Sequence, residues 1–525
     1  MQRFMDPEVF PRDVIADYFQ SVAPYGYTAL YRMMAALGIP PLLFSKLLPV
    51  FLILITAGYC YVLCLEILPI PAAGFLATVL LSQSLCLGAH LISGTPRDFA
   101  SPLLLAFFYY LLRRSLPFCL VTIALQGLFY PSIVSISVGI LLLRLFRWEG
   151  GRIRLSRDRS DFLFCLSGLV IASVVILPFL LRSSQFGPVF TAAEARHLPE
   201  MRPGGRAGFF LRSASEYWLT GRRGGMFPSA LTRHKVLFLG LLLPLVLAFP
   251  SRFPVLKRVT SGIRLFPQVL LSSLGMFFLA HALLFKLHLP SRYTQHTFRI
   301  ILSLAAAIAL VAMLDVAFRW AGQGSVLFRQ VLPLGLVALL GVLLAFYPAS
   351  MKMFPRTNYV VGKHSALYRF FLNQPKDILI ASLSREADNL PTFAQRSVLV
   401  SAGTAIPYHK GYYTVMRERI SDLMRAQYTC DVRELQGFIR KYGADFWLLD
   451  LDAFTPGYLA TNRLTKHFPS EAREVQLRLE RGELPALSLF ANTCTVFRDR
   501  KHVVLQAECI LKYRPPGQGK AYGRR

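Results

Sequence analysis

The residues most suited to chemistry lie in one stretch, Lys286-Leu-His-Leu-Pro-Ser-Arg-Tyr-Thr-Gln-His-Thr-Phe-Arg299. Lys286, His288, Arg292, His296 and Arg299 supply positive charge or donors, and Tyr293 stands beside Arg292. Apolar segments long enough to enter a bilayer flank the stretch. A basic cluster held at a membrane surface is where a lipid phosphate or anionic headgroup binds. The competing reading is that these side chains snorkel and only set helix depth.

Two further groups carry carboxylates. Asp6, Glu8, Asp13 and Asp17 crowd the N-terminus, where one of them would serve as a general base taking a proton from an acceptor. Turn and capping chemistry accounts for the same residues: Asp6-Pro7 is a turn signal, and Asp13 suits the N-cap of a helix after it. In Thr95-Pro-Arg-Asp-Phe99, Arg97 and Asp98 are spaced to hold a phosphate and a hydroxyl, or to pair with each other. No Walker loop, dinucleotide-binding glycine fingerprint, HExxH or paired CxxC occurs, which argues against a nucleotide-driven pump.

The elements that must position these groups are membrane helices. The chain has 525 residues, 54% of them hydrophobic and 17% charged, with a mean hydropathy of +0.45. Candidate spans fall near 47–68, 72–91, 101–112, 116–128, 130–146, 162–181, 236–250, 267–286, 299–318 and 330–347, most of them approaching the ~20 apolar residues a bilayer requires. The formal charge of +29 resides largely in short connections between them, so it reads as positive-inside bias and not as a nucleic-acid surface. Taking the basic connections (Arg113-Arg114, Arg144–Arg159, Arg252–Arg264, Arg319–Arg329) as cytoplasmic puts residues 1–46, the 287–298 hairpin and everything after 348 on the other side. The basic glycine-rich stretches Arg202–Gly208 and Gly221–Gly225 read as solvated loop.

Three domains are expected: a first outer segment over 1–46 with interfacial helices, a multispan domain over 47–348, and an α/β domain over 349–525 ending in a basic tail. In the last, strands are expected at 376–382, 397–401, 445–450, 487–490, 494–497 and 502–506. Helices are expected at 412–428 and from the Asp431 cap to Tyr442, with Gly443 as the stop. Of the eight cysteines, Cys430, Cys494 and Cys509 lie in this domain and leave any disulfide pairing open.

The layout resembles the GT-C superfamily of membrane glycosyltransferases. The likeness rests on the acidic first outer segment, a core with some short helices, Arg292-Tyr293 opening a late helix, and the outer α/β domain. That pair is similar to the Arg-Tyr of the dolichyl-phosphate-mannose and aminoarabinose transferase branches. The stretches Arg396–Val400, Tyr408–Tyr413 and Tyr442–Trp447 are similar to C-terminal domains of bacterial members. The resemblance implies sugar transfer from a polyprenyl-phosphate donor to an unassigned acceptor on the outer face. By position it implies Asp6, Asp13 or Asp17 as base, Asp98 as a second-loop acid, and Arg97, Lys286, His288, Arg292, Tyr293 and His296 around the lipid phosphate. Family members carry a helix before the first outer segment, so the expectation is that one is missing upstream of Met1, with the family's aspartate lost alongside it. The expected location is the plasma (inner) membrane of a bacterium, multi-pass, with membrane lipid as partner and no nucleic acid. No metal or cofactor is assigned, the lipid-linked sugar being a co-substrate and a divalent ion staying open. The reading from another class is a non-catalytic protein that binds or moves a lipid-linked saccharide, or scaffolds envelope assembly.

Overall fold

A computed structural model describes residues 1–87, 94–149, 152–181, 185–287, 289–323, 326–351 and 360–514. The chain folds into two compact units. One combines Met1–Val22, Ser183–Phe210 and Val361–Arg525, and the other combines Ala23–Arg182 and Leu211–Val360.

The first unit is built on a five-stranded sheet. Its strands are β1 (Leu379–Ala381), β2 (Ser397–Val398), β3 (Phe446–Asp450), β4 (Thr495–Arg498) and β5 (His502–Gln506), in the spatial order β2-β1-β3-β5-β4. β1 runs parallel to β2 and β3, whereas β5 runs antiparallel to β3 and β4. β3 reads Phe-Trp-Leu-Leu-Asp without alternation because it is central and covered on both faces. Trp447 is fully buried there, and its indole N–H donates to Gln427 Oε1 at 3.2 Å. Lys410–Tyr428 and Val432–Tyr442 are helical. Asp431 caps the second by accepting from the Arg433 amide at 2.8 Å. Gly443 ends it at φ +64°, a conformation that costs any residue with a Cβ about 1 kcal/mol or more.

Three features depart from expectation. Ala486–Phe490 is a 3-10 turn, not a strand; a short apolar run specifies burial but not backbone type. The Arg202–Gly208 stretch is docked: Arg206 donates to the carbonyls of Ala402 at 2.9 Å and Gly403 at 2.6 Å. The N-terminus is part of this unit, because Tyr18 stacks on Tyr412 with ring centroids 3.8 Å apart and its hydroxyl bonds His409 Nδ1 at 2.9 Å.

Cys494 and Cys509 form the disulfide whose identity the spacing left open. Closing a loop across a separation of 15 residues stabilises by about 3 kcal/mol. The double variant Cys494→Ser/Cys509→Ser is therefore expected to lose roughly that amount in denaturant melts. Alkylation without reduction should leave these two thiols unlabelled in the parent.

The second unit is helical. Helices lie in each of the ten expected stretches, and among the described residues five are long and apolar enough to cross a membrane: Pro41–Ile67, Arg159–Pro178, Ser261–Ala282, Ser291–Ala321 and Val331–Ser350. Pro71–Cys86, Leu116–Phe129, Pro131–Arg144 and Lys235–Ala248 are apolar but shorter. The outward faces of the long helices carry Leu54, Val174, Leu271, Leu334 and Phe346, each more than half exposed, a surface suited to lipid and not to water. The Ser291–Ala321 helix lies at the centre, packed by Pro71–Cys86, Leu265–Ala282 and the Lys235–Ala248 segment. Ala305, Ala306, Ala307 and Ala309 keep one stretch of it narrow. At Gly240 a Cβ would approach Leu302 O to 2.7 Å, so the two backbones meet where small residues allow it.

Candidate functional site

Arg292, Tyr293, His296 and Arg299 are not in a loop. The helix begins at Ser291, and its first turns are buried within the second unit. Hydropathy alone reads Ser291–Arg299 as a connection because it averages polar side chains whose backbone is already helical. Arg292, His296 and Arg299 follow i, i+4, i+7 and so share one face. Arg299 is 0% exposed and His296 2%, while Arg292 is half-buried and donates to Gln295 Oε1 at 3.0 Å.

Arg97 and Asp98 reach the same region from another element. Pro96–Phe99 is a 3-10 turn leading into the Ala100–Leu112 helix. Asp98 accepts from Thr95 N at 2.6 Å and from Thr95 Oγ1 at 3.0 Å, closing a capping box that fixes its side chain. It is 4% exposed, and burial raises its carboxyl to about 6 against the opposing pull of Arg97. The expected Arg97–Asp98 ion pair is absent among the described salt bridges; the two groups interact through the field only. Arg97 also senses Arg299 across the interior.

Tyr130 joins the two elements. It sits where Leu116–Phe129 gives way to Pro131, within the field of Arg292, Arg97 and Asp98, and burial holds its phenol above the ordinary range. Its ring meets that of His296 edge-on, centroids 5.9 Å apart. Tyr27 and Tyr31, from the Tyr25–Ala36 helix, sense the Asp98 charge from another side. His234 feels Arg299; its Nδ1 lies 3.4 Å from the Tyr347 hydroxyl, and burial pushes it down to about 4.

Arg97, Arg292 and Asp98 thus act together on Tyr130, Arg97 and Arg299 act on each other, and Tyr27 and Tyr31 feel Asp98. Arg97 Nε, Asp98 Oδ1 and His234 Nε2 are buried without a hydrogen-bond partner among the described residues. Each such atom costs about 1–3 kcal/mol until something pairs with it. Donors clearly outnumber acceptors, so the set suits an anion bearing hydroxyl groups better than a divalent cation.

Of the other expected site residues, Lys286 is exposed on the turn after Leu265–Ala282. His288 lies outside the described residues. The N-terminal aspartates belong to the first unit, and each has a partner there. Lys376 Nζ lies 2.7 Å from Asp6 and 2.9 Å from Glu8, an ion pair that lowers the Asp6 carboxyl. Asp13 caps the Val14–Ser21 helix through the Ala16 amide at 2.9 Å. Asp17 pairs with Arg3. Tyr130, Tyr27, Tyr31 and His234 were not singled out in sequence. Arg299 was part of the basic stretch and its spacing from Arg292 and His296 puts it on their face, but the tyrosines come from segments distant along the chain.

No family model and no curated protein matches this sequence. Solved structures do match in fold. The oligosaccharyltransferase of Archaeoglobus fulgidus in its apo form superposes with a TM-score of 0.51 at 13% identity, over 84% of this chain and 63% of that one. The same enzyme tethered to an acceptor peptide containing the NVT sequon gives 0.51 at 12%, over 87% and 64%. The archaeal oligosaccharyltransferase AglB from that organism, in complex with an inhibitory peptide and a dolichol-phosphate, gives 0.51 at 13%, over 84% and 62%. This chain therefore spans under two thirds of the length of those enzymes. At such identity the likeness is one of fold alone.

Proposed function

We propose that this protein is a membrane glycosyltransferase that takes a sugar from a polyprenyl-phosphate-linked donor and passes it to an acceptor on the outer face. The observation that carries the reading is the convergence of Arg97, Arg292 and the buried Asp98 on Tyr130, with His296 edge-on to its ring and Arg299 in the field of Arg97. Breaking a glycosyl–phosphate bond leaves negative charge on the lipid phosphate. Positive groups already fixed in a water-poor site stabilise that charge as it develops. Asp98, ionised above about 6, is suited to remove the acceptor's proton at neutral pH. The fold likeness supports the class, because one of the similar structures holds dolichol-phosphate. Ten spans and an extracytoplasmic first unit follow from the loop charges, and the Cys494–Cys509 bond agrees with an oxidising compartment. The plasma membrane of a bacterium remains the expected setting.

The test is release of polyprenyl phosphate from a radiolabelled lipid-linked sugar by the protein reconstituted in liposomes. Acceptor-dependent release is expected. Donor binding without release, whatever the acceptor extract supplied, would favour the protein that only binds or moves the lipid-linked saccharide.

The same assay decides the base. Asp6→Asn, Asp13→Asn and Asp17→Asn are expected to keep release within about threefold of the parent. Asp13→Asn should leave stability nearly unchanged, while Asp13→Ala costs about 1 kcal/mol as a lost cap. A loss beyond roughly a hundredfold at any of the three, with folding intact, would move the base to that residue.

A further inference from the structure

The turn between β4 and β5 carries a second cluster that the transfer reaction does not use. Asp499 lies one residue after β4 and His502 opens β5. His364 stands at the N-cap of the Ser365–Leu372 helix in the same unit. Ligand atoms of these three residues all lie within 4.8 Å of one another. His502 Nδ1 is 3.2 Å from Asp499 Oδ1, and His364 Nδ1 is 3.9 Å from Asp499 Oδ2. The two imidazole rings stand nearly perpendicular, centroids 4.4 Å apart.

The surroundings orient these groups. Asp499 is held by the Lys501 and His502 amides, both donating to Oδ1 at 2.7 Å. His502 is buried, and its other ring nitrogen, Nε2, faces Asp450 Oδ1 at 3.6 Å. Asp450 is fixed in turn by Ser384 Oγ at 2.7 Å and the Tyr458 hydroxyl at 2.7 Å. An outer carboxylate that takes the N–H of one ring nitrogen leaves the other nitrogen's lone pair free to ligate; metal-binding histidines usually have such a partner.

We propose that His364, Asp499 and His502 bind a zinc-class transition-metal ion, with Asp450 orienting His502 from outside the coordination shell. Nitrogen donors at about 2.0–2.1 Å and a carboxylate oxygen at about 2.0–2.2 Å make a tetrahedral set with a fourth position for water. Tetrahedral ligand atoms then lie about 3.3–3.4 Å apart, so the 3.2 and 3.9 Å separations are within about an ångström of that geometry and the widest, at up to 4.8 Å, would contract by about 1.5 Å at most. Two imidazoles favour zinc over magnesium or calcium, which take oxygen. Asp499 and His364 keep about a fifth of their side-chain surface exposed, which leaves a path for the ion. The sequence shows no metal spacing because His364 lies far from the other two along the chain. The site would tie the start of a helix to the edge of the sheet. The alternative is that His502 is held between Asp450 and Asp499 with no metal.

The experiment is zinc titration of the full-length protein in detergent, stripped of metal by chelator, with binding read by equilibrium dialysis and elemental analysis. One zinc per chain is expected. Asp450→Asn should weaken it about 10–100-fold, and His364→Gln and His502→Gln should each weaken it at least as much. Melting in chelator checks that the variants fold, and His364→Gln, at a half-buried position, serves if His502→Gln does not. The stripped parent should melt lower than the zinc-loaded protein, and that difference should vanish in His364→Gln. Stoichiometric binding unchanged in both histidine variants overturns the proposal, as does the absence of binding at micromolar zinc.

Discussion

Asp98→Asn is expected to abolish sugar transfer, by about 10²–10⁴-fold, without unfolding the protein. The amide keeps an oxygen to accept from Thr95 N and Oγ1, so the capping box survives while the base is lost. Stability should move the other way. Burial sets the folded carboxyl at about 6, above its ordinary 3.8. Between those values the native protein holds a proton that the unfolded chain has released, so stability falls as pH rises through that window. The gap corresponds to about 3 kcal/mol carried against the fold at neutral pH. The asparagine variant has no such penalty. It should melt at or above the parent at pH 7, and the advantage should shrink toward pH 4. The parent's kcat/KM should fall on the acid side with a midpoint near 6. Melting curves and release rates across pH check both halves. An active Asp98→Asn removes Asp98 as base, and a variant that melts well below the parent at pH 7 contradicts the burial argument.

That carboxylate shows what could be read along the chain and what could not. Asp431, Gly443 and Asp13 were legible because capping and left-handed φ are settled within a few residues. The apolar helices were legible because hydropathy is summed over a whole segment; each expected stretch holds a helix, and five of those among the described residues are long and apolar enough to cross a membrane. The state of Asp98 was not, since Thr95–Phe99 looked like a loop boundary where water would keep a carboxylate ordinary. Its carboxyl shares a field with Tyr130, Tyr27 and Tyr31, all distant from it along the chain. The same limit applies to the burial of Ser291–Arg299: the resemblance had Arg292-Tyr293 opening a helix, as it does, but loop charge put 287–298 in an outer hairpin and the segment is buried helix. His364, Asp499 and His502 met for a similar reason. Non-local packing decides which polar residues lose water, and that loss is what turns them into candidates for chemistry.

Arg292 is the sharpest probe of the anion site for that reason: it is half-buried and stands on the first turn of its helix. Arg299 is fully buried, so truncating it mixes a cavity with a lost charge. Arg292→Ala is expected to lower kcat/KM for sugar transfer by about 10²–10³-fold, or about 2.7–4 kcal/mol of transition-state stabilisation. Its melting temperature should stay close to the parent's, because the position is not a packed core. Two properties separate a phosphate contact from a merely structural one. Arg292→Lys keeps the charge but loses the planar fork that grips two phosphate oxygens, so it should recover only part of the lost rate. Free polyprenyl phosphate should inhibit the parent, and that inhibition should weaken in Arg292→Ala in parallel with the rate. A residue that only fixes the helix would lower the rate in both variants alike and leave inhibition unchanged. If lysine and alanine behave identically and the product still inhibits, the lipid phosphate is held elsewhere, and Arg97 with Arg299 becomes the pair to test.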